Sequence, residues 1–122
     1  MQTKGEWTMR RVFLTALVAA PFVAAAPAGS AYAEDRLTFE IRIKDHKFDP
    51  AELEVPANKE IKLVVKNLDP TPEEFESSEL NREKIVAGGG QGVFYLDPLK
   101  PGTYPFFGEF NQATAQGKLI AK

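Results

Sequence analysis

The feature that most constrains this chain is the run Leu37-Thr38-Phe39-Glu40-Ile41-Arg42-Ile43-Lys44, in which apolar and polar residues alternate without a break. Side chains of an extended strand point to opposite faces in turn, so this run offers one face to a core and one to water. A helix does not have that period. The pattern returns at Leu53 and Val55, then at Ile61, Leu63 and Val65, flanked by Lys62 and Lys66. Shorter runs follow at Lys84 to Val86, Val93 to Leu96, Tyr104 to Phe107 and Lys118 to Ala121. Turn formers separate them: Asp49-Pro50, Pro56-Ala57-Asn58, Asp69-Pro70, Gly88-Gly89-Gly90 and Pro101-Gly102. About seven short strands at this spacing predict an all-β fold, a sandwich or a barrel. One segment reads two ways. Thr71-Pro72-Glu73-Glu74 has the cap, first-turn proline and third-position glutamate of a helix start, yet only Phe75 and Leu80 would give that helix an apolar stripe. A loop running into a strand is the preferred reading of residues 72–80.

Ahead of the strands, residues 1–33 have the make-up of a cleaved export signal. Lys4, Arg10 and Arg11 form a basic start, Val12 to Ala28 is apolar and alanine-rich, and Ala31-Tyr32-Ala33 is a small-x-small cleavage pattern. Pro21 and Pro27 interrupt the apolar stretch, which is short for the roughly 20 residues that span a bilayer. Met9 gives a tighter signal opening than Met1 and is an alternative start. Cleavage after Ala33 leaves residues 34–122, one small domain with a single core. The expected location is the periplasm, with no membrane insertion of the mature chain. Without Lys4, Glu6, Arg10 and Arg11 the net charge is about −4, against −2 for the whole chain, which argues against nucleic acid as a partner. The chain has no cysteine, so it lacks the disulfides that support many exported domains of this size.

The motifs add a resemblance. Phe48-Asp49-Pro50, then Leu53 and Val55-Pro56-Ala57-Asn58, resemble the opening of a cupredoxin. Val64-Val65-Lys66-Asn67 is similar to the strand that ends before the first-ligand loop, and Pro98-Leu99-Lys100-Pro101-Gly102-Thr103-Tyr104 to the entry to the last-ligand loop. Glu73-Glu74-Phe75-Glu76-Ser77, Asn81-Arg82-Glu83-Lys84 and Phe107-Gly108-Glu109-Phe110 resemble the cupredoxin-like proteins of bacterial ferrous-iron uptake, of the FtrB type and the N-terminal domain of the EfeO type. The resemblance covers nearly all of residues 37–121. It implies a cupredoxin-like Greek-key β-sandwich, a bound iron or copper ion, and work beside an inner-membrane iron permease and other periplasmic iron-uptake components.

The ligand positions depart from that pattern. In a cupredoxin the last loop carries a cysteine, a histidine and a methionine that grip copper; here Gly108 stands in the cysteine place and Asn111 in the histidine place. A blue-copper site needs a thiolate and two imidazoles, and the chain has no cysteine and one histidine. Oxygen chemistry remains. Glu73, Glu74, Glu76 and Glu79 crowd the first-ligand loop, Glu109 lies in the last, and His46 precedes Phe48 on a loop expected at the same end. Glu74, Glu76, His46, Glu109 and Glu73 are therefore the candidate ligands for iron, manganese or non-blue copper. EfeO-type domains resemble this chain in an acidic side chain at the Glu74 position. Two carboxylates about 5 Å apart repel by roughly 3 kcal/mol at an effective dielectric near 20, but by under about 1 kcal/mol in water. A converging cluster thus calls for a cation or a raised pKa, whereas a solvated one signifies nothing. A lone histidine is more often a surface or hydrogen-bonded residue than a ligand, and the aromatic residues Phe94, Tyr95, Tyr104, Phe106 and Phe107 read most simply as core. Ser77 and Ser78 have no second histidine to build a nucleophile–base relay, which disfavours hydrolysis. Two other readings stay open: a metal-free scaffold that docks a partner, and a copper-assisted ferroxidase.

Overall fold

The computed structural model describes residues 36–122, together with the isolated positions Ala19 and Pro21. The expected export signal, with its cleavage after Ala33, lies outside the described residues. Among the described residues nine strands form: β1 Leu37–Lys44, β2 Lys47–Asp49, β3 Glu52–Val55, β4 Ile61–Asn67, β5 Glu73–Ser77, β6 Arg82–Val86, β7 Gln91–Leu96, β8 Gly102–Gly108 and β9 Gln116–Ala121. A 3₁₀ turn, Glu109–Asn111, lies between the last two. The sequence pattern anticipates seven of these. β2 is missed because three residues are too few to show a period. Residues 72–80 take the strand reading, as β5 and the turn after it, and the helix alternative is not formed. Among the described residues, no helix is long and apolar enough to cross a membrane.

The strands make two sheets, ordered β2-β1-β4-β7 and β3-β9-β8-β5-β6. β1 and β4 run parallel over seven paired positions, and β3 pairs β9 in parallel, so the chain crosses between sheets as well as closing the hairpins β1–β2 and β5–β6. Alternation then does what the sequence indicates: Ile41 and Ile43 are buried while Arg42 and Lys44 face water. The core forms where the inner faces meet. Its centre is four rings, two from each sheet. Phe75 stacks on Phe106 at 5.0 Å and tilts against Phe94 at 4.9 Å, and Phe48 stands edge-on to Phe106 at 5.0 Å. Such pairs add roughly 0.5–1.5 kcal/mol each beyond the burial of their area. Tyr95 and Phe107 are not part of this core: Tyr95 is half exposed, and Phe107 is partly buried on the outer face. The odd–even phase of their strands sends them outward.

One end of the sandwich is tied by buried polar side chains. Asn67 Nδ2 donates to the carbonyls of Thr71 (2.8 Å) and Val86 (3.2 Å), and its Oδ1 accepts from the Asp69 amide. The Asp69 carboxylate accepts the amides of Asp45 (2.8 Å) and His46 (2.9 Å). Both donors have positive φ, near 53° and 58°, a conformation in which neighbouring amides converge on one anion. The β1–β2, β4–β5 and β6–β7 connections are thereby drawn to one tip.

Candidate metal site

β5 carries three of the candidate glutamates, and its two-residue period separates them. Glu73, Phe75 and Ser77 point into the sandwich and are buried; Glu74 and Glu76 point out and are partly buried. The sequence reading treats Glu73 to Glu79 as one acidic loop. The structure corrects this: residues 73–77 are strand, and adjacent glutamates occupy opposite faces of the sheet.

On the inner side, Glu73 is only 2% exposed. Its Oε1 accepts the amides of Phe110 (2.9 Å) and Glu74 (3.1 Å), and its Oε2 accepts the side-chain N–H of Asn111 (2.6 Å). Three donors meet one buried carboxylate, the condition under which a charge is tolerated away from water. Gly108 lies against the same group. A Cβ built on it would stand 2.6 Å from the Glu73 carboxyl carbon and 2.7 Å from Ala115 Cβ. Glycine is required at 108 because the carboxylate fills the space a side chain would take.

On the outer face, Glu74 and Glu76 meet Glu83 of β6, which lies directly opposite Glu76 in the ladder. Each of the three offers an oxygen within 4.8 Å of those of the other two. Phe107 stands on the other side of Glu76. Enclosed between Phe107 and its own strand neighbours, Glu76 Oε2 is, among the described residues, the one buried side-chain oxygen without a partner. Proton sharing with the nearby carboxyl of Glu109 raises the Glu76 pKa to about 7, helped by burial and by the charges of Glu109, Glu83 and Glu74. Glu74 is raised too, by burial first and then by Glu109, Glu83 and Glu73. Near neutrality the group therefore holds a shared proton, or would exchange it for a cation.

The remaining candidates divide. Glu109 is exposed, and its neighbour Phe110 is half exposed; Glu109 reaches the cluster through Glu76. His46 does not join the carboxylates. Its Nδ1 lies 3.6 Å from Asp69 Oδ2, and its ring is about half exposed. Glu79 lies exposed in the β5–β6 turn. Glu83 is the residue that sequence reasoning missed. Its signal was present: the four-residue turn Ser78 to Asn81 pairs Ser77 with Arg82 and so sets Glu76 against Glu83.

The sequence matches the family described as the cupredoxin-like domain over residues 13–121. The chain belongs to this family. An uncharacterised protein of Rickettsia prowazekii (strain Madrid E) is 52% identical over 84 residues, covering 69% of this chain and 67% of that protein. Among solved structures, the backbone is similar to auracyanin A, a blue copper protein of Chloroflexus aurantiacus, with a TM-score of 0.61 and 16% identity over 71% of this chain and 99% of that one. It is also similar to amicyanin from Paracoccus versutus (TM-score 0.55, 16% identity, 81% and 87% covered). A third likeness is to the metal-binding domain of the Cu(I)-exporting P-type ATPase CopA of Streptococcus pneumoniae D39 (TM-score 0.59, 13% identity, 70% and 84% covered). At these identities the likeness establishes the fold.

In this cupredoxin-like chain the donors do not fit thiolate copper. The positions that the resemblance sets in the copper-ligand places, Gly108 and Asn111, both lie beside Glu73. Gly108 offers no donor atom, Asn111 turns its N–H toward the carboxylate, and both Glu73 oxygens are already engaged.

Proposed function

We propose that this cupredoxin-like protein binds a hard or borderline cation, iron or manganese, or copper in a non-blue setting, on the outer face of its five-stranded sheet. Glu74, Glu76 and Glu83 are the ligands, with Glu109 beside them. The observation that carries the reading is the enclosed, unpartnered Glu76 Oε2 among three other carboxylates. Oxygen-only donors suit such ions and leave room for water to complete the coordination. The export-signal pattern of residues 1–33 and the FtrB- and EfeO-like motifs support a further step: a periplasmic carrier working beside an inner-membrane iron permease.

Titration of the exported chain with Fe²⁺, Mn²⁺ and Cu²⁺ tests the site. Micromolar or tighter binding that is lost in Glu76→Gln and in Glu74→Ala is expected; equal, weak binding in all three proteins rejects it. Co-purification of an iron permease with the tagged chain from membranes tests the partner, and a permease that never co-purifies removes that step alone.

A second reading rests on the loss of cupredoxin donors at Gly108 and Asn111 and on two apolar side chains exposed at positions 68 and 110, Leu68 at 53% and Phe110 at 49%. It is a metal-free scaffold that docks a protein. It predicts no change in melting temperature with any cation. Ligand linkage at 100-fold excess over Kd would instead add about 2.7 kcal/mol.

A further inference from the structure

We propose that the Glu73 carboxylate replaces the metal as the tie between β5 and the 108–115 loop, so that this end of the cupredoxin-like fold is locked shut without an ion. A metal gripped by residues of separate loops holds those loops together. Here one buried anion does so. It accepts from the backbone of Phe110 and the side chain of Asn111 across 37 and 38 residues of chain. It also accepts the Glu74 amide on its own strand. The Gly108 and Ala115 amide–carbonyl bond (2.8 Å) closes the base of the same loop.

The fit is mutual. The carboxylate can sit there only because residue 108 has no Cβ, and a loop without side-chain donors at 108 can be held only by what β5 supplies. Both carboxylate oxygens are engaged, so an ion entering this space would have to displace three N–H donors and leave them without partners. The inference stands apart from the outer-face reading, since Glu73 and Glu76 lie on opposite sides of the sheet.

The test reverses the polarity of one hydrogen bond. In Glu73→Gln the charge-assisted bonds become neutral ones, and Asn111 must turn its amide over to meet the new N–H with its Oδ1. In Asn111→Asp two carboxylates face each other. In the double variant the new amide donates to the new carboxylate, and the remaining oxygen at 73 still accepts from Phe110 and Glu74. Each single change is expected to lower Tm by on the order of 10 °C and to speed hydrogen exchange at the Phe110 amide about tenfold or more. The double variant is expected to recover most of both losses. In the metal-free wild type the Phe110 amide is expected to be protected, and Cu²⁺ or Mn²⁺ to leave that protection unchanged. Additive losses in the double variant overturn the proposal, and so does a Phe110 amide that gains protection only when Cu²⁺ is added. Should the single variants fail to fold, a folded double variant supports the tie and an unfolded one overturns it.

Discussion

Glu73 and Glu76 lie three residues apart on one strand and have opposite surroundings. Glu73 is the more deeply buried, yet three N–H groups point at its oxygens. Glu76 is only partly buried, but its neighbours are Glu74, Glu83 and Glu109, and one of its oxygens has no partner. Depth alone therefore does not decide what a carboxylate does in this fold. The donors it meets decide. A buried carboxylate with a full set of N–H partners works as a structural tie. A shallower one among like charges is left needing a proton or a cation.

The most damaging way to break this comparison is to remove the core side chain that fixes which face of β5 is buried. Phe75 is fully buried and touches the other three core rings. Phe75→Ala is expected to cost about 3–5 kcal/mol, read as loss of the cooperative melting transition or a large drop in its midpoint. Next in size is Gly108→Ala, whose methyl would collide with the Glu73 carboxyl carbon at 2.6 Å. Overpacking of this kind costs roughly 1–3 kcal/mol. Because part of the clash is with Glu73 and part with Ala115 Cβ at 2.7 Å, the loss should shrink but not vanish when Glu73→Ala is added, and a double-mutant cycle on melting midpoints measures the coupling. Cation binding on the outer face should survive Gly108→Ala. Equal loss on both sides would mean that the two regions are not separate.

Much of the fold was legible because it rests on periodicity. Leu37–Lys44 alternates cleanly and forms β1 as read. The site was less legible, for a physical reason. The first-ligand segment contains two adjacent glutamates, and composition alone cannot say which faces the core. Phase can: Phe75 must be inside, so Glu73 and Ser77 share its side, and Glu74 and Glu76 do not. Glu83 was legible only by carrying the Ser78 to Asn81 turn through to a register, since a cross-strand neighbour appears only once the register of the hairpin is fixed. Asp69, which holds Asp45 and His46, gave no signal, since its role depends on two residues of positive φ more than 20 positions away.

The outer cluster makes a prediction with a definite sign. The Glu76 pKa rises from 4.5 in an ordinary glutamate to about 7 in the folded protein. The native state therefore holds that proton more tightly than the unfolded chain. The associated stability is fully present below about pH 4.5 and is lost as pH rises through about 7. Asp69 acts in the opposite sense. The His46 amide, with that of Asp45, holds its pKa below the ordinary 3.8, so its contribution is lost only in stronger acid, outside this window. Melting midpoints followed from pH 5 to pH 8 should fall in the wild type and stay flatter in Glu76→Gln. Mn²⁺ at saturating concentration should reverse the fall in the wild type alone. An unchanged slope in Glu76→Gln would assign the dependence to other groups.

The smallest expected effect sharpens the boundary of the site. His46 is the chain's one histidine and the obvious nitrogen ligand on sequence grounds, but its ring leans toward Asp69 at 3.6 Å while the outer carboxylates gather without it. An alanine here would confuse the question, because residue 46 has φ near 58° and β-carbon residues other than Asn, Asp and His are strained there. His46→Asn keeps the backbone tolerance and removes the imidazole. The backbone amide that bonds Asp69 at 2.9 Å remains, so only a half-exposed contact is lost. Substitutions of that kind change stability by about 0.5 kcal/mol or less, which corresponds to roughly 2–4 °C in a domain of this size. Affinity for Mn²⁺ or Fe²⁺ should not move, in contrast to Glu76→Gln. A tenfold loss of affinity in His46→Asn would place an imidazole in the coordination shell, and the division between a cation-binding outer face and an ion-free tip would then have to be redrawn.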